Sequence, residues 1–153
     1  MGEPTADIAL LTPVPAQHLE SGLNICAVTG FVAFGTDSGM VLSEFRIAVD
    51  EGHPADILFY ASESSRAGPA VATYRGRFAG YDGAVGGKAK KDWAKHRPPT
   101  TEHDGAWQSF YLLSDLRKLD APIVLTTLTK HGNAGKLSKT FIPLGPLIID
   151  TPF

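Results

Sequence analysis

Cysteine is nearly absent from this chain of 153 residues, in which Cys26 is the single example. One cysteine cannot form an internal disulfide, and it cannot supply the ligands of a cysteine-built zinc site. Because such low cysteine use is typical of proteins in a reducing compartment, we expect a cytoplasmic location. Cys26 itself falls on the apolar stripe of a predicted helix, where we expect a small core residue.

The chain also lacks any apolar run of about 20 residues, the length that a membrane-spanning helix needs. Its opening residues, MGEPTADIALLTPVP, contain neither a basic n-region nor an apolar stretch of signal-peptide length. We therefore expect a dissolved protein that has no membrane partner.

Neither sign of charge is in large excess, because fourteen Lys and Arg residues face sixteen Asp and Glu residues and the net charge is −2. A protein that coats nucleic acid without sequence preference is usually basic as a whole. Any nucleic-acid binding by this chain must therefore be local. The length and the 43% hydrophobic content predict one domain over residues 1–153 with a real core.

Motifs of catalysis and metal binding are missing as well. The histidine and acidic residues that lie close together in the sequence are His96, Glu102, His103 and Asp104. Their spacing matches no regular zinc pattern, so we expect neither a metal nor a cofactor. No serine lies in a GxSxG elbow, and residues 130–136 lack the GxxxxGK[ST] arrangement of a phosphate-binding loop.

Hydrophobic periodicity predicts alternating strands and helices in the first third of the chain. Leu19, Leu23 and Cys26 recur at helical spacing, and Ser38 belongs to a turn with N-cap chemistry. The predicted elements are a strand over 7–11, a helix from Pro15 to Gly30, a strand over 31–34 and a helix from residues 36–38 to Gly52.

The remaining two thirds predict mainly strands. DILFYAS over 56–62 and VATYRGRFAGY over 71–81 look like a hairpin, and alternation in the second strand places Arg75 and Arg77 on one face. Further predicted elements are a strand over 107–113, a helical turn from Ser114, a strand or short helix over 123–128, and one or two short strands within 141–153. This order predicts an α+β fold in which a small, curled, barrel-like mixed β-sheet has two or three flanking helices.

One long segment, residues 84–106, has no apolar periodicity and separates two predicted strands. We call it the 84–106 segment. Its core, GGKAKKDWAKHRPP, surrounds Trp93 with cations, which are Lys88, Lys90, Lys91, Lys95 and Arg97. Connections of this length are usually functional or disordered, and cations interleaved with an aromatic suit a partner that carries phosphates and bases. The alternatives are a solvated charged loop and a Trp93 that folds back on the core.

The order of pieces over residues 39–128 resembles the PUA-like superfamily, particularly its EVE and ASCH branches. The resemblance lies in a helix that leads to HPADILFYAS, the strand VATYRGRFAGY, and the later stretch WQSFYLLSDLRKLDAPIVLTTL. It implies a domain that holds a nucleotide, often with a modified base, in a pocket beside the barrel, with a basic surface for the backbone.

Carried over residue by residue, the resemblance implies a base pocket formed by Tyr60, Ser62 and Trp107. An aromatic ring can stack on a base, and a hydroxyl can bond a base edge. Arg75 and Arg77 would then face the phosphates. The alternatives are that Tyr60 and Trp107 are core residues, that Ser62 caps a turn, and that both arginines lie on a solvated face.

Two classes of function follow from these patterns, and we favour the first. It is a noncatalytic module that binds RNA or DNA and could recognise a modified or flipped base. The second is a small ASCH-like ribonuclease or nucleoside-acting enzyme, with Lys88, Tyr60 and Arg75 as catalytic candidates. Binding of a small metabolite stays open. The choice between RNA and DNA, the identity of the recognised base and the oligomeric state stay open as well.

Overall fold

A computed structural model of the protein describes residues 7–49, 55–61, 70–101, 105–131 and 145–153. In chain order the helices and strands are β1 Ile8–Val14, α1 Ala16–Thr29, β2 Phe31–Thr36, α2 Gly39–Ala48, β3 Asp56–Ala61, β4 Val71–Gly83, α3 Lys91–Ala94, β5 Ser109–Val124 and β6 Leu147–Asp150. Two short 3₁₀ helices span Pro99–Thr101 and Leu125–Thr127. Among these residues, no helix is long and apolar enough to cross a membrane.

The six strands form one mixed sheet in the order β2-β5-β4-β3-β1-β6. β1 and β3 run parallel, and the other neighbouring strands run antiparallel. The predicted pairing of the 56–62 and 71–81 strands is confirmed, with registers from Asp56 opposite Arg77 to Tyr60 opposite Ala72. The α+β class is therefore confirmed. The sheet does not close into a barrel, however, so it matches the barrel-like description only loosely.

Helix α1 follows the predicted pattern. Leu19 is fully buried, and Leu23 and Cys26 are partly buried against the core. Gly30 ends the helix with a φ of 88°, a conformation that glycine adopts at little cost, and its N–H donates to the Cys26 carbonyl. Helix α2 begins after Ser38, as predicted, although the Ser38 side chain makes no capping bond. Gly52, the predicted end of that helix, lies outside the described residues.

Strand β5 corrects one prediction. Ser114 does not begin a helical turn, because β5 continues as a single strand of 16 residues to Val124. Its pairing with β4 shifts register between Arg75 and Arg77, and Asp115 has a φ of 56° at this irregularity. The chain therefore absorbs the local turn signal as a bulge, while hydrogen bonding to β4 maintains the strand on both sides. The segment 123–128 includes the end of β5 and the second 3₁₀ helix.

The sheet has a helical face, covered by α1 and α2, and an opposite face that carries neither of these two helices and that we call the helix-free face, and each has its own apolar core. On the helical face, Leu19 of α1 and Phe45 of α2 pack against Phe34, Tyr111 and Leu113 of the strands. Because side chains alternate along a strand, the neighbouring β5 residues Phe110 and Leu112 face the helix-free side. There a second core joins the second 3₁₀ helix to the far strands, through Leu58, Tyr60, Ala72, Leu125, Leu128 and Ile149.

Connecting segments cover both edges of the sheet. At the β2 edge, Ala33 N–H donates to the His96 carbonyl at 3.0 Å, and Arg97 Nη1 donates to the Ala33 carbonyl at 2.8 Å. At the β6 edge, His131 N–H donates to Ile148 and Asp150 N–H donates to Thr129. The 84–106 segment thus hydrogen-bonds to an edge strand rather than extending into solvent.

Candidate functional site

The 84–106 segment is more ordered than its sequence suggests. Gly86 and Gly87 have φ angles of 58° and 79° and form a turn in which Val85 and Lys88 exchange backbone hydrogen bonds. Helix α3 and the first 3₁₀ helix follow, and Trp107 N–H donates to the Gly87 carbonyl at 3.0 Å. This last bond closes the base of the segment. The described part of the segment is therefore a connection that contains a turn and two short helices.

Two buried histidines attach the segment to α1. The Nδ1 of His96 shares a hydrogen bond of 2.8 Å with the Thr29 hydroxyl, near the end of the helix. The Nδ1 of His18 shares a bond of the same length with the Thr100 hydroxyl, near the start of the helix. Burial lowers the pKa of His96, and the positive charge of Lys95 lowers it further. The segment therefore runs along α1 in the opposite direction to the helix.

Both tryptophans of the chain lie over glycines of the helix-free face. The Trp107 indole covers Gly35 of β2 so closely that a Cβ at Gly35 would clash with its five-membered ring. Trp93 lies over Gly80 of β4, where a Cβ would be 3.4 Å from the ring. Trp93 is therefore half-buried against the sheet, and the alternative that it folds back agrees with the structure.

A cleft of about 300 Å³ opens between the 84–106 segment and the helix-free face. Its lining is mainly apolar and includes Pro98, Thr101, Trp107 and Phe110. Lys88 and Arg97 add two cations to the wall. We call it the loop cleft. It combines aromatic surface, positive charge and enough volume for one small planar ligand, since ligand pockets begin at about 300 Å³.

The five cations predicted to bind nucleic acid fall into two groups. Lys90 and Arg97 stabilise the segment. The Lys90 ammonium donates a hydrogen bond of 2.8 Å to the Asp82 carboxylate, and this bond lowers the pKa of Asp82. The same ammonium lies 4.6 Å from the Trp93 ring centroid. Arg97 donates a hydrogen bond to the Ala33 carbonyl of the edge strand β2. Its guanidinium lies 5.0 Å from the Phe110 ring centroid.

The second group is Lys88, Lys91 and Lys95, whose side chains are exposed. Within the described part of the chain, no ion pair or side-chain hydrogen bond engages their ammonium groups. An ammonium group in water can bind a phosphate without first breaking a protein contact. These three lysines are therefore the cations of the segment best placed to bind an anionic partner.

Arg75 has a structural partner. Its guanidinium forms a two-pronged salt bridge with Asp56, with bonds of 2.9 and 3.1 Å, and it lies 3.5 Å from the Phe153 ring centroid. Because Asp56 is only 2% exposed, the arginine compensates a buried carboxylate. Arg77 lies on the same face, opposite Asp56 and Ser114 in the strand registers.

Two of the three residues of the predicted base pocket, Tyr60 and Trp107, lie apart in the structure. Tyr60 is buried in the core of the helix-free face, beside Leu125 and Leu128, as its alternative interpretation states. Trp107 covers β2, which is separated from the strand of Tyr60 by β5 and β4. Ser62 lies outside the described residues. The catalytic candidates are likewise dispersed, because Lys88 lines the loop cleft while Tyr60 is in the core and Arg75 binds Asp56.

Sequence reasoning missed Phe110 and Thr101 as cleft residues. Phe110 belonged only to the predicted strand over 107–113, and Thr101 only to the 84–106 segment. Only the contacts of the segment with β2 and α1 bring them together. For metals, no group of three or more His, Cys, Asp or Glu side chains in the described ranges is arranged to hold an ion.

Comparison of the sequence with protein-family models gives no match, and comparisons with curated proteins and with solved structures give no significant match. The side chains of the loop cleft and its surroundings are therefore the basis for inferring a function.

Proposed function

We propose that this protein is a noncatalytic module that binds single-stranded RNA or DNA and takes one base into the loop cleft. The observation that carries this proposal is the cleft itself, which places an indole and a phenyl ring beside two cations. A base offers a planar π surface for the rings and a backbone phosphate for the cations. A modified or flipped base would enter in the same way.

The exposed lysines support a path for the nucleic-acid backbone. Lys88 lies at the cleft wall, and Lys91 and Lys95 lie one helical turn apart at α3. Their ammonium groups could contact successive phosphates without disturbing the salt bridge of Lys90 or the edge contact of Arg97. A local set of three cations also agrees with a chain whose net charge is −2.

We further take the sheet to be PUA-like and the protein to be cytoplasmic. The length of β4 and β5, with 13 and 16 residues, and three register shifts between them support a sheet that curls as PUA-like sheets do. The single cysteine supports the location.

A salt titration tests the binding. For single strands, the logarithm of affinity should fall with the logarithm of salt concentration by about 0.7 per phosphate contact. Replacing Lys91 and Lys95 together by alanine should flatten this slope by about 1.4 and weaken binding at low salt. Fluorescence anisotropy with labelled oligonucleotides measures both quantities.

The matched control removes the same charge elsewhere. Lys118→Ala combined with Lys130→Ala leaves the 84–106 segment intact, and it should keep the wild-type slope. Lack of binding to single-stranded and duplex DNA and RNA at about 50 mM salt, where phosphate contacts are strong, would contradict the proposal.

A further inference from the structure

The charge of the loop cleft has one sign. Among the described residues that line the cleft, the ionisable ones are Lys88 and Arg97, and both are cations. Arg97 is held in place, because its Nη1 donates to the Ala33 carbonyl and its guanidinium lies over the Phe110 ring. These contacts do not remove its charge, since a guanidinium stays protonated in proteins. The wall therefore offers one fixed positive charge and a second charge, at Lys88, that can adapt to a ligand.

Lys88 extends from a turn whose backbone is fixed by hydrogen bonds. Gly86 and Gly87 both have positive φ angles, the conformation of a tight two-residue turn. Val85 and Lys88 close the turn with bonds of 2.8 and 3.1 Å, and the Gly87 carbonyl accepts the Trp107 N–H at 3.0 Å. The Lys88 side chain is exposed and forms no ion pair or side-chain hydrogen bond within the described part of the chain. Its flexible four-carbon stem begins at the cleft wall, so its ammonium can reach a phosphate at the mouth of the cleft.

The size of the cleft limits the number of phosphates that these two cations face. A volume of about 300 Å³ accommodates one small planar ligand. A nucleotide inside a strand brings about one negative charge, on its phosphodiester. A phosphate monoester instead carries a charge of about −2 at pH 7 and three acceptor oxygens. A single nucleotide with a monoester therefore matches the two cations of the wall in charge.

We infer that the loop cleft prefers a nucleotide that bears a phosphate monoester, and that Lys88 binds this phosphate. Such a group occurs at a phosphorylated end of a strand and in a free nucleoside monophosphate. The inference rests on the proposed binding of nucleic acid and narrows it from any base of a strand to a terminal one. Lys91 and Lys95 then contact the phosphodiesters of the adjoining nucleotides.

The test compares the affinities of short oligothymidylates that differ at one end. A phosphate at the preferred end, 5′ or 3′, should strengthen binding about tenfold over two hydroxyl ends, the change expected for one charge-assisted hydrogen bond. A hydroxyl-ended strand one nucleotide longer is the control, because it adds a phosphate charge without a monoester and should gain much less. In a second arm, thymidine monophosphate should bind about tenfold more tightly than thymidine if a free nucleotide suffices.

Variants and pH assign the preference to Lys88 and to the monoester. Lys88→Met keeps the stem without the charge and should abolish the preference, whereas Lys88→Arg should retain it. Lys118→Met removes an exposed cation of β5 outside the cleft lining and should leave the preference unchanged. The ratio of the two affinities should also fall between about pH 7.5 and about pH 5.5, because the monoester gains a proton with a pKa of about 6.

The outcomes distinguish the two proposals. If the strands bind with equal affinity, if the longer strand gains as much as the phosphorylated one, or if Lys88→Met keeps the preference, nucleic-acid binding stands and recognition of the monoester is overturned. If no strand binds, the proposed function fails, and thymidine monophosphate decides the ligand class alone. Its tighter binding than thymidine, lost in Lys88→Met, would support the class, and equal or absent binding would overturn it.

Discussion

At the residue scale, the salt bridge between Arg75 and Asp56 shows how structure reassigns a charged side chain. Two arginines on one strand face suggest a phosphate-binding surface. Arg75, however, lies between a buried carboxylate and the Phe153 ring, and its side chain is only 18% exposed. A cation held in this way contributes to folding, because its loss leaves the carboxylate buried without a counter-charge.

Replacing Arg75 by alanine should therefore destabilise the protein by about 3 kcal/mol, as expected when one member of a buried ion pair is removed. Urea denaturation gives the change in the free energy of unfolding. Arg117→Ala is the control, because it breaks an exposed pair with Asp115 and should cost less than about 1 kcal/mol. A stable Arg75→Ala protein that had lost oligonucleotide binding would restore the phosphate interpretation.

At the scale of elements, the 84–106 segment depends on close contact between rings and glycines. Gly35 has no side chain where the base of the Trp107 indole lies. The nearest indole atoms belong to the five-membered ring, which is attached directly to the Cβ of Trp107. These atoms cannot swing aside as the tip of a flexible side chain could. One methyl group at this position would force the whole ring off the sheet.

Gly35→Ala should accordingly cost about 1 to 3 kcal/mol by overpacking and should distort the loop cleft. In a Trp93→Phe background, the emission of Trp107 should shift as its ring leaves the sheet, and oligonucleotide affinity should fall. Gly83→Ala is the matched control, because a Cβ at this strand glycine would meet no atom within 4 Å. Unchanged emission in Gly35→Ala would contradict the close contact.

The elements also show what local sequence patterns can predict. Helix α1 was predicted from three apolar positions and its terminal glycine, and the β3–β4 pairing from alternation, since both signals are local. The helical turn at Ser114 was wrong because pairing with β4 outweighed a local cap. The loop cleft was out of reach, since it depends on contacts such as His18 with Thr100, which are 82 residues apart.

The candidate site was predicted in part. The sequence predicted Trp107 as a pocket residue and the cations of the 84–106 segment as a cluster, and the structure places Trp107 in the lining of the loop cleft. The sequence could not tell the engaged cations, Lys90 and Arg97, from the exposed ones, because that distinction depends on Asp82 and on a backbone carbonyl of β2. It also combined Trp107 with Tyr60, which the strand order separates.

At the scale of the whole molecule, His96 links pH to the stability of the fold. Its pKa in the folded protein lies below the ordinary value of 6.5, mainly because of burial. The unfolded chain therefore binds more protons at pH values between these two pKa values. The contribution of neutral His96 to stability is complete above about pH 6.5 and decreases as the pH falls below it.

The free energy of unfolding should thus decline from pH 7 towards pH 5, and His96→Gln should reduce that decline. Urea denaturation at a series of pH values in constant salt measures it. An identical pH profile for His96→Gln and the wild type would refute the assignment to His96.

The hydrogen bonds from the 84–106 segment to Ala33 have a consequence for the behaviour of the protein in concentrated solution. The same backbone atoms that hold the segment would, once released, form an open strand edge able to recruit another chain. Release of the segment from β2 would therefore expose this edge and remove one wall of the loop cleft together. A ligand that binds in the cleft would stabilise the attached state of the segment. It would therefore reduce aggregation through the β2 edge while it is bound.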